Sequence, residues 1–189
     1  MRDLPGAYRV CLLTGDGGRD GSAIYRNPEL LGHVFVGPYI VGQPDLALVV
    51  ADNAGIAGYA LAAADTRGFE RWAEEEWWPP LREQYPLTVD GSPEAELIEL
   101  LHQPPFADDS VVVPFPAHLH IDLLERVRGL GFGRLMIERL LDELRRCNSP
   151  GVHLDVALDN PNAIAFYRHL GFDEVARGDG SMLMGLALE

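Results

Sequence analysis

The chain has 189 residues, 47% of them hydrophobic, and a formal net charge of −14. Such a length and apolar content predict one compact domain over residues 1–189 with a core of its own. The acidic balance argues against binding to nucleic acid or an anionic membrane surface and suits a cationic substrate.

Two cysteines, Cys11 and Cys147, are too few for a disulfide framework and read as small buried apolar residues. Arg2-Asp3 is followed by no apolar stretch of signal-peptide kind, and no run approaches a membrane span. A cytoplasmic protein is expected.

Tyr8 to Leu13 (YRVCLL) reads as a first strand, closed by the turn residues Thr14 to Gly18. Ala23 to Tyr39 reads as one or two short helices interrupted at Pro28, with Gly37-Pro38 and Gly42-Gln43-Pro44 ending the region. Asp45–Ala51 and Gly55–Ala64 flank Asp52-Asn53-Ala54-Gly55, the pattern of an antiparallel hairpin.

Residues 67–116 make a long connection holding FERWAEEEWW, PPLREQYP and PEAELIELLHQPP, short helices separated by prolines. Trp72, Trp77 and Trp78 with Glu74, Glu75 and Glu76 form either an aromatic, acidic lip for a cationic amine or an amphipathic helix. In the second case the tryptophans pack on the sheet and the glutamates face water, the usual fate of a charge run. A segment of this length is the expected seat of substrate specificity or a partner contact.

The stretch from Ala117 to Phe172 carries the chemistry. An apolar run, AHLHIDLLE, passes into Arg128-Gly129-Leu130-Gly131-Phe132-Gly133 and then a periodic helix whose apolar members include Phe132, Leu135, Met136, Leu140 and Leu144. Glycines where a strand enters a helix leave the free N–H groups of the first turn open to an anion, and Arg128 and Arg134 bracket the turn. Ser149-Pro150-Gly151 ends the helix, and Val152–Leu158 reads as the next strand. Asn160-Pro161 then caps a short helix over Asn162–Leu170 that stops at Gly171. Tyr167 on that helix is either a core aromatic or a hydroxyl facing a cleft. Asp173–Arg177 and Ser181–Leu188 close the chain as two strands.

Taken together, Arg128-x-x-Gly131-x-Gly133 and the later Asn160-x-x-Ala163 with Phe166-Tyr167-Arg168-x-x-Gly171-Phe172 resemble the two signature motifs of the GCN5-related N-acetyltransferases. GDGGRDGSA (residues 15–23) and NPELLGHVFVGPYI (27–40) resemble the acetyltransferase-like region of O-GlcNAcases and their free-standing bacterial relatives. Two positions depart from the family pattern: Glu125-Arg126-Val127 replaces the usual small residue or proline before the arginine, and Asn162 stands where alanine is common.

The resemblance implies an α/β fold with a mixed, mostly antiparallel sheet of about seven strands flanked by helices, residues 67–116 being a helical insert between the third and fourth strands. It implies acetyl-CoA as acetyl donor and an amine, on a small molecule or a protein, as acceptor. Leu123 and Leu124 would bind the acetyl and pantetheine portions, and Arg128, Gly129, Leu130, Gly131, Phe132, Gly133 and Arg134 the pyrophosphate. Asn160, Ala163, Phe166 and Tyr167 would complete the cofactor site, with Tyr167 protonating the leaving thiolate. For the base, His118, His120 and Asp122 alternate to one face of their strand; Asp122 is the first choice, then His120, then Asp155.

The same histidines with His153 do not favour a metal by their spacing, and none is expected. A noncatalytic module that binds acetyl-CoA or a protein is the alternative function. A Rossmann dinucleotide fold fails, because Leu158-Asp159 runs into an Asn-Pro helix cap and no further βαβ unit follows. The exposed edges of such a sheet leave room for a homodimer.

Overall fold

In the computed structural model, which describes residues 2–88 and 90–188, six strands form one sheet. They are β1 (Ala47–Asp52), β2 (Gly55–Ala63), β3 (Ala117–Leu123), β4 (Gly151–Ala157), β5 (Asp173–Arg177) and β6 (Ser181–Ala187), in the spatial order β1-β2-β3-β4-β6-β5. Every pairing is antiparallel except β3 with β4. The mixed, mostly antiparallel sheet is as expected, with six strands rather than about seven.

The difference lies at Tyr8–Leu13, which is not a strand but part of helix α1 (Leu4–Thr14). A short run that is apolar but for Arg9 fits either period. Pro5 in the first turn starts a helix, and the buried residues Ala7, Tyr8, Val10, Cys11 and Thr14 recur at helical intervals. Two short helices follow, α2 (Leu30–Phe35) and α3 (Gly37–Gly42). Gly37-Pro38 therefore opens a helix instead of ending one, since proline's fixed φ suits a first turn.

Between β2 and β3 run α4 (Thr66–Trp72), a π-helical turn (Ala73–Trp77), α5 (Trp78–Gln84), α6 (Pro93–His102) and α7 (Asp109–Val112). The helices pack as the amphipathic reading expects. Trp78 is buried, Trp72 and Trp77 lie face to face with centroids 6.4 Å apart, and Trp77 Nε1 donates to the His33 carbonyl at 2.9 Å. Glu75 and Glu76 face water, and Glu74 takes two hydrogen bonds from Arg82 at 2.6 and 2.8 Å. No aromatic, acidic lip forms.

Each face of the sheet has its own core. On one, α8 (Phe132–Arg146) and α9 (Pro161–His169) bury Met136, Ile137, Leu140, Leu141, Leu144 and Tyr167. Leu135, expected in that stripe, is 63% exposed, and Ile137 and Leu141 take the inner positions. On the other face, α1 to α6 close over Tyr59, Leu61 and Ala63. Cys11 is buried there, but Cys147 is exposed, because it lies in the loop after α8 instead of in its buried stripe. Asn148, with φ of 57°, turns the chain out of α8 ahead of Ser149-Pro150-Gly151. Among the described residues no helix is long and apolar enough to cross a membrane.

Candidate functional site

The parallel strands β3 and β4 touch only at Ala117 with Val152 and at His118 with His153. Beyond that point they part, while β3 stays paired to β2 as far as Leu123. One edge of β3 thus faces an open gap at its C-terminal half. Leu124 N–H donates to the Ala57 carbonyl at 2.8 Å, toward β2. By the alternation of a strand, the backbone groups of Leu123 point the other way, into the gap. The Leu123 carbonyl is met there by Arg128 Nε at 2.7 Å.

The gap leads to the glycine turn. Gly129 and Gly131 have φ of 73° and 86°, which only glycine adopts without strain, and a Cβ on either would meet nothing within 4 Å. Gly131 is the N-cap of α8 and among the described residues no side chain caps the helix, so the N–H groups of its first turn are free of a side-chain acceptor. Free backbone donors, the positive end of a fifteen-residue helix and room where side chains are missing fit a phosphate-bearing cofactor. Gly133 serves packing: a Cβ there would sit 3.3 Å from Leu123 and 3.5 Å from Phe166. The arginines are less free than the sequence suggests. Arg128 Nη2 donates to the Gly18 carbonyl at 2.8 Å, tying the turn to the glycine loop after α1, and Arg134 pairs with Glu138 at 2.6 Å.

The second motif forms the other wall. Asn160 Oδ1 accepts from Ala163 N–H at 3.1 Å, capping α9, and Pro161 occupies its first turn. Tyr167 is buried, with its ring edge-on to Phe166 and Phe172 at 5.3 and 5.6 Å. Burial and then the charge of Asp122 hold its phenol well above the ordinary value, so it keeps its proton.

On β3, His118, His120 and Asp122 lie opposite Ala63, Leu61 and Tyr59 and share the face covered by α1 to α6. Tyr59 Oη donates to Asp122 Oδ2 at 2.5 Å. Burial pushes the Asp122 carboxyl up to about 6, against the opposing pull of the Tyr59 hydrogen bond, the Arg128 charge and the Thr14 hydroxyl. His118 is held at both nitrogens, by Tyr39 Oη at 2.8 Å and Thr66 Oγ1 at 2.7 Å. His120 Nε2, by contrast, is buried without a partner among the described residues, and burial lowers its pKa to about 4.

A cavity of about 580 Å³ opens on this face where β3 and β4 begin to part. His118, His120, His153 and Asp155 contribute to its floor, and α2 to α6 with residues 104–107 wall it. His120 and Asp155 therefore reach it, and Asp122 does not line it. Among the described residues no group of three or more His, Cys, Asp and Glu side chains is arranged to hold a metal ion.

Sequence reasoning missed the partners. Tyr59 was findable from the alternation of GYALAAA opposite the histidine strand. Tyr39 and Thr66 carry no local signal and meet His118 only through packing.

A parted parallel strand pair, a glycine turn at a helix start and a capped helix opposite define an acyl-CoA transferase type of site. The Acetyltransferase (GNAT) family model matches residues 96–172. The crystal structure of SsHAT is 35% identical, covering 100% of this chain and 95% of that one, with a TM-score of 0.92. Protein O-GlcNAcase from Rattus norvegicus and from Mus musculus is 29% identical over 187 residues. The match takes in 95% of this chain, which spans about a fifth (20%) of the length of those curated relatives. The structure of yncA from Salmonella typhimurium with its cofactor acetyl-CoA shares the fold at 17% identity, covering 100% of this chain and 90% of that one, with a TM-score of 0.54. The chain belongs to the GNAT acetyltransferase family.

Proposed function

We propose that the chain is an acetyl-CoA-dependent N-acetyltransferase that acts on a primary amine by direct attack, with residues 1–189 as one domain working in the cytoplasm. The observation that carries this reading is the parting of β3 and β4 beside the uncapped start of α8, with a cavity on the other face of the sheet. Backbone groups from Gly129 to Arg134 would hold the pyrophosphate, with Arg128 fixing the turn. Leu123, Asn160, Ala163 and Phe166 would line the pantetheine arm. Leu124 would contribute its side chain, since its N–H is already bonded to Ala57.

Acetyl-CoA supplies an acetyl group activated as a thioester. The nitrogen–carbon bond forms as the carbon–sulfur bond breaks, and the proton lost by the amine is balanced by the one gained at sulfur. Tyr167, kept protonated by burial, suits the donor to sulfur. Asp122 is the proposed acceptor: a carboxyl raised to about 6 is ionised at neutral pH and basic enough to take a proton through water. His120, at about 4, stays neutral and holds the amine.

One observation favours a second reading, a noncatalytic acetyl-CoA-binding module: Asp122 is turned toward Tyr59 and does not line the cavity. The test is calorimetric titration with acetyl-CoA, CoA and NAD, repeated on Gly131→Glu with its melting temperature recorded. The expected outcome is binding of the CoA species alone, weakened at least about 100-fold by the substitution, which fills the phosphate space and adds a like charge. No uptake of any CoA species would end the acetyltransferase reading. Binding with no transfer, unchanged in Tyr167→Phe, would favour the module.

A further inference from the structure

The cavity against β3 and β4 has a composition that narrows its occupant. Its walls come from aromatic and apolar residues, among them Tyr39, Phe69, Trp78, Leu100, Pro105 and Phe106. Nearly all of its polar groups are engaged internally. Both His118 nitrogens are bonded to Tyr39 and Thr66. Glu70 receives Arg67 at 2.7 Å and the Ala107 N–H at 2.9 Å, so its charge is neutralised from behind. His153 Nδ1 meets the Phe115 carbonyl at 2.7 Å. The polar groups left without a hydrogen-bond partner among the described residues include the buried Nε2 of His120, the Nε2 of His153 and, at the rim, the exposed carboxylate of Asp155.

We infer that this cavity is the acceptor site for a small primary amine carried on an aromatic or branched apolar body, with His120 Nε2 as its internal polar contact. The inference rests on the acetyltransferase reading and deepens it. About 580 Å³ accommodates a compact ligand of this kind, whereas the thin aliphatic stem of a lysine leaves much of it unfilled. A polyamine would strand its further ammonium groups among apolar walls, where the Glu70 carboxylate is already paired with Arg67. A neutral primary amine both donates and accepts, so it satisfies Nε2 in either tautomer of His120, and an ammonium satisfies only one. Asp155 at the rim draws the cation in; the ammonium gives its extra proton to solvent water there, before the nitrogen reaches the thioester gap. Burial keeps His120 uncharged at physiological pH, so it does not repel the arriving amine. The transfer then releases one N-acetyl amine and one CoA thiol, with no other reactant.

The full chain is titrated with 2-phenylethylamine, spermidine and a lysine-containing peptide, following the fluorescence of Trp78 and its neighbours without acetyl-CoA. Acetyl transfer to each amine is then measured with acetyl-CoA bound. The expected result is a kcat/KM for 2-phenylethylamine at least about tenfold above the other two amines. His120→Phe should raise its KM about tenfold, and Phe106→Ala, a 64% exposed rim residue, a few-fold, both with unchanged affinity for acetyl-CoA. Preference for spermidine or the peptide would overturn the inference, as would rates insensitive to both substitutions. Acetyl-CoA uptake with no binding of the aromatic amine overturns it too, while leaving the acetyltransferase reading intact. Binding of the aromatic amine without transfer sustains the cavity assignment and removes the enzyme reading instead.

Discussion

The face of the sheet under α8 and α9 and the face under α1 to α6 are both well packed, yet they are specified by different signals. The first rests on features local to the chain: a glycine turn with two positive φ values, a helix with one apolar stripe, an Asn-Pro cap and a glycine stop at Gly171. The second rests on fits between distant residues. A Cβ on Gly32 would lie 2.3 Å from the Tyr8 ring, and one on Gly42 would lie 2.5 Å from Trp72. Asn27 N–H meets Glu94 at 2.6 Å, and Arg82 Nε meets the Leu101 carbonyl at 2.7 Å. Backbone geometry builds the proposed cofactor side, where the loop conformation depends on few side chains. Side-chain volume builds the proposed acceptor side, so small changes there should alter what fits.

Three experiments sharpen that contrast, in order of expected effect. Acidification should act mainly on the acceptor side. His120, held near 4, stays neutral in the folded chain while the unfolded chain takes up protons near the ordinary 6.5. Its contribution is therefore intact above pH 6.5 and lost as pH falls toward 4, on the order of 3 kcal/mol. His118 and His153 are depressed by burial as well and add to the loss. Asp122 opposes it, because a carboxyl raised to about 6 binds its proton in the folded state before the unfolded one does near 3.8. Melting temperatures from pH 7 to 4 should accordingly fall, less in His120→Phe and more steeply in Asp122→Asn. A flat profile in the unsubstituted chain would contradict the burial of the histidine face.

Gly32→Ala should cost about 2 kcal/mol by overpacking against Tyr8. It lowers the chemical-denaturation midpoint but leaves the affinity of the folded chain for acetyl-CoA unaltered. A change in that affinity would show that the two faces are coupled. Asn160→Ala should have the reverse profile and the smallest effect on stability, about 1 kcal/mol from the lost cap of α9. It should weaken acetyl-CoA several-fold in a titration while sparing binding of an aromatic amine.

Much of the face under α8 and α9 was legible because its determinants are short in range. Glycine at 129, 131 and 171, proline at 161 and the periodic run from Phe132 each restrict backbone torsions within a few residues, and each reads the same in isolation as in the fold. Even there, tertiary contacts refined the reading: Arg128 is anchored to Leu123 and Gly18, and Leu135 is turned outward.

What the sequence by itself determined is the hairpin, the glycine turn, α8, β4, α9 and the closing pair of strands, because each is encoded by local periodicity and turn chemistry. The tertiary structure alone decided that YRVCLL is a helix, since so short and largely apolar a run satisfies both periods until a surface chooses between them. It also decided that Tyr59 holds Asp122, that Tyr39 and Thr66 hold His118, and that His120 Nε2 has no partner among the described residues. Those outcomes depend on which side chains from far along the chain arrive at one strand face, and no local preference of the residues records that meeting.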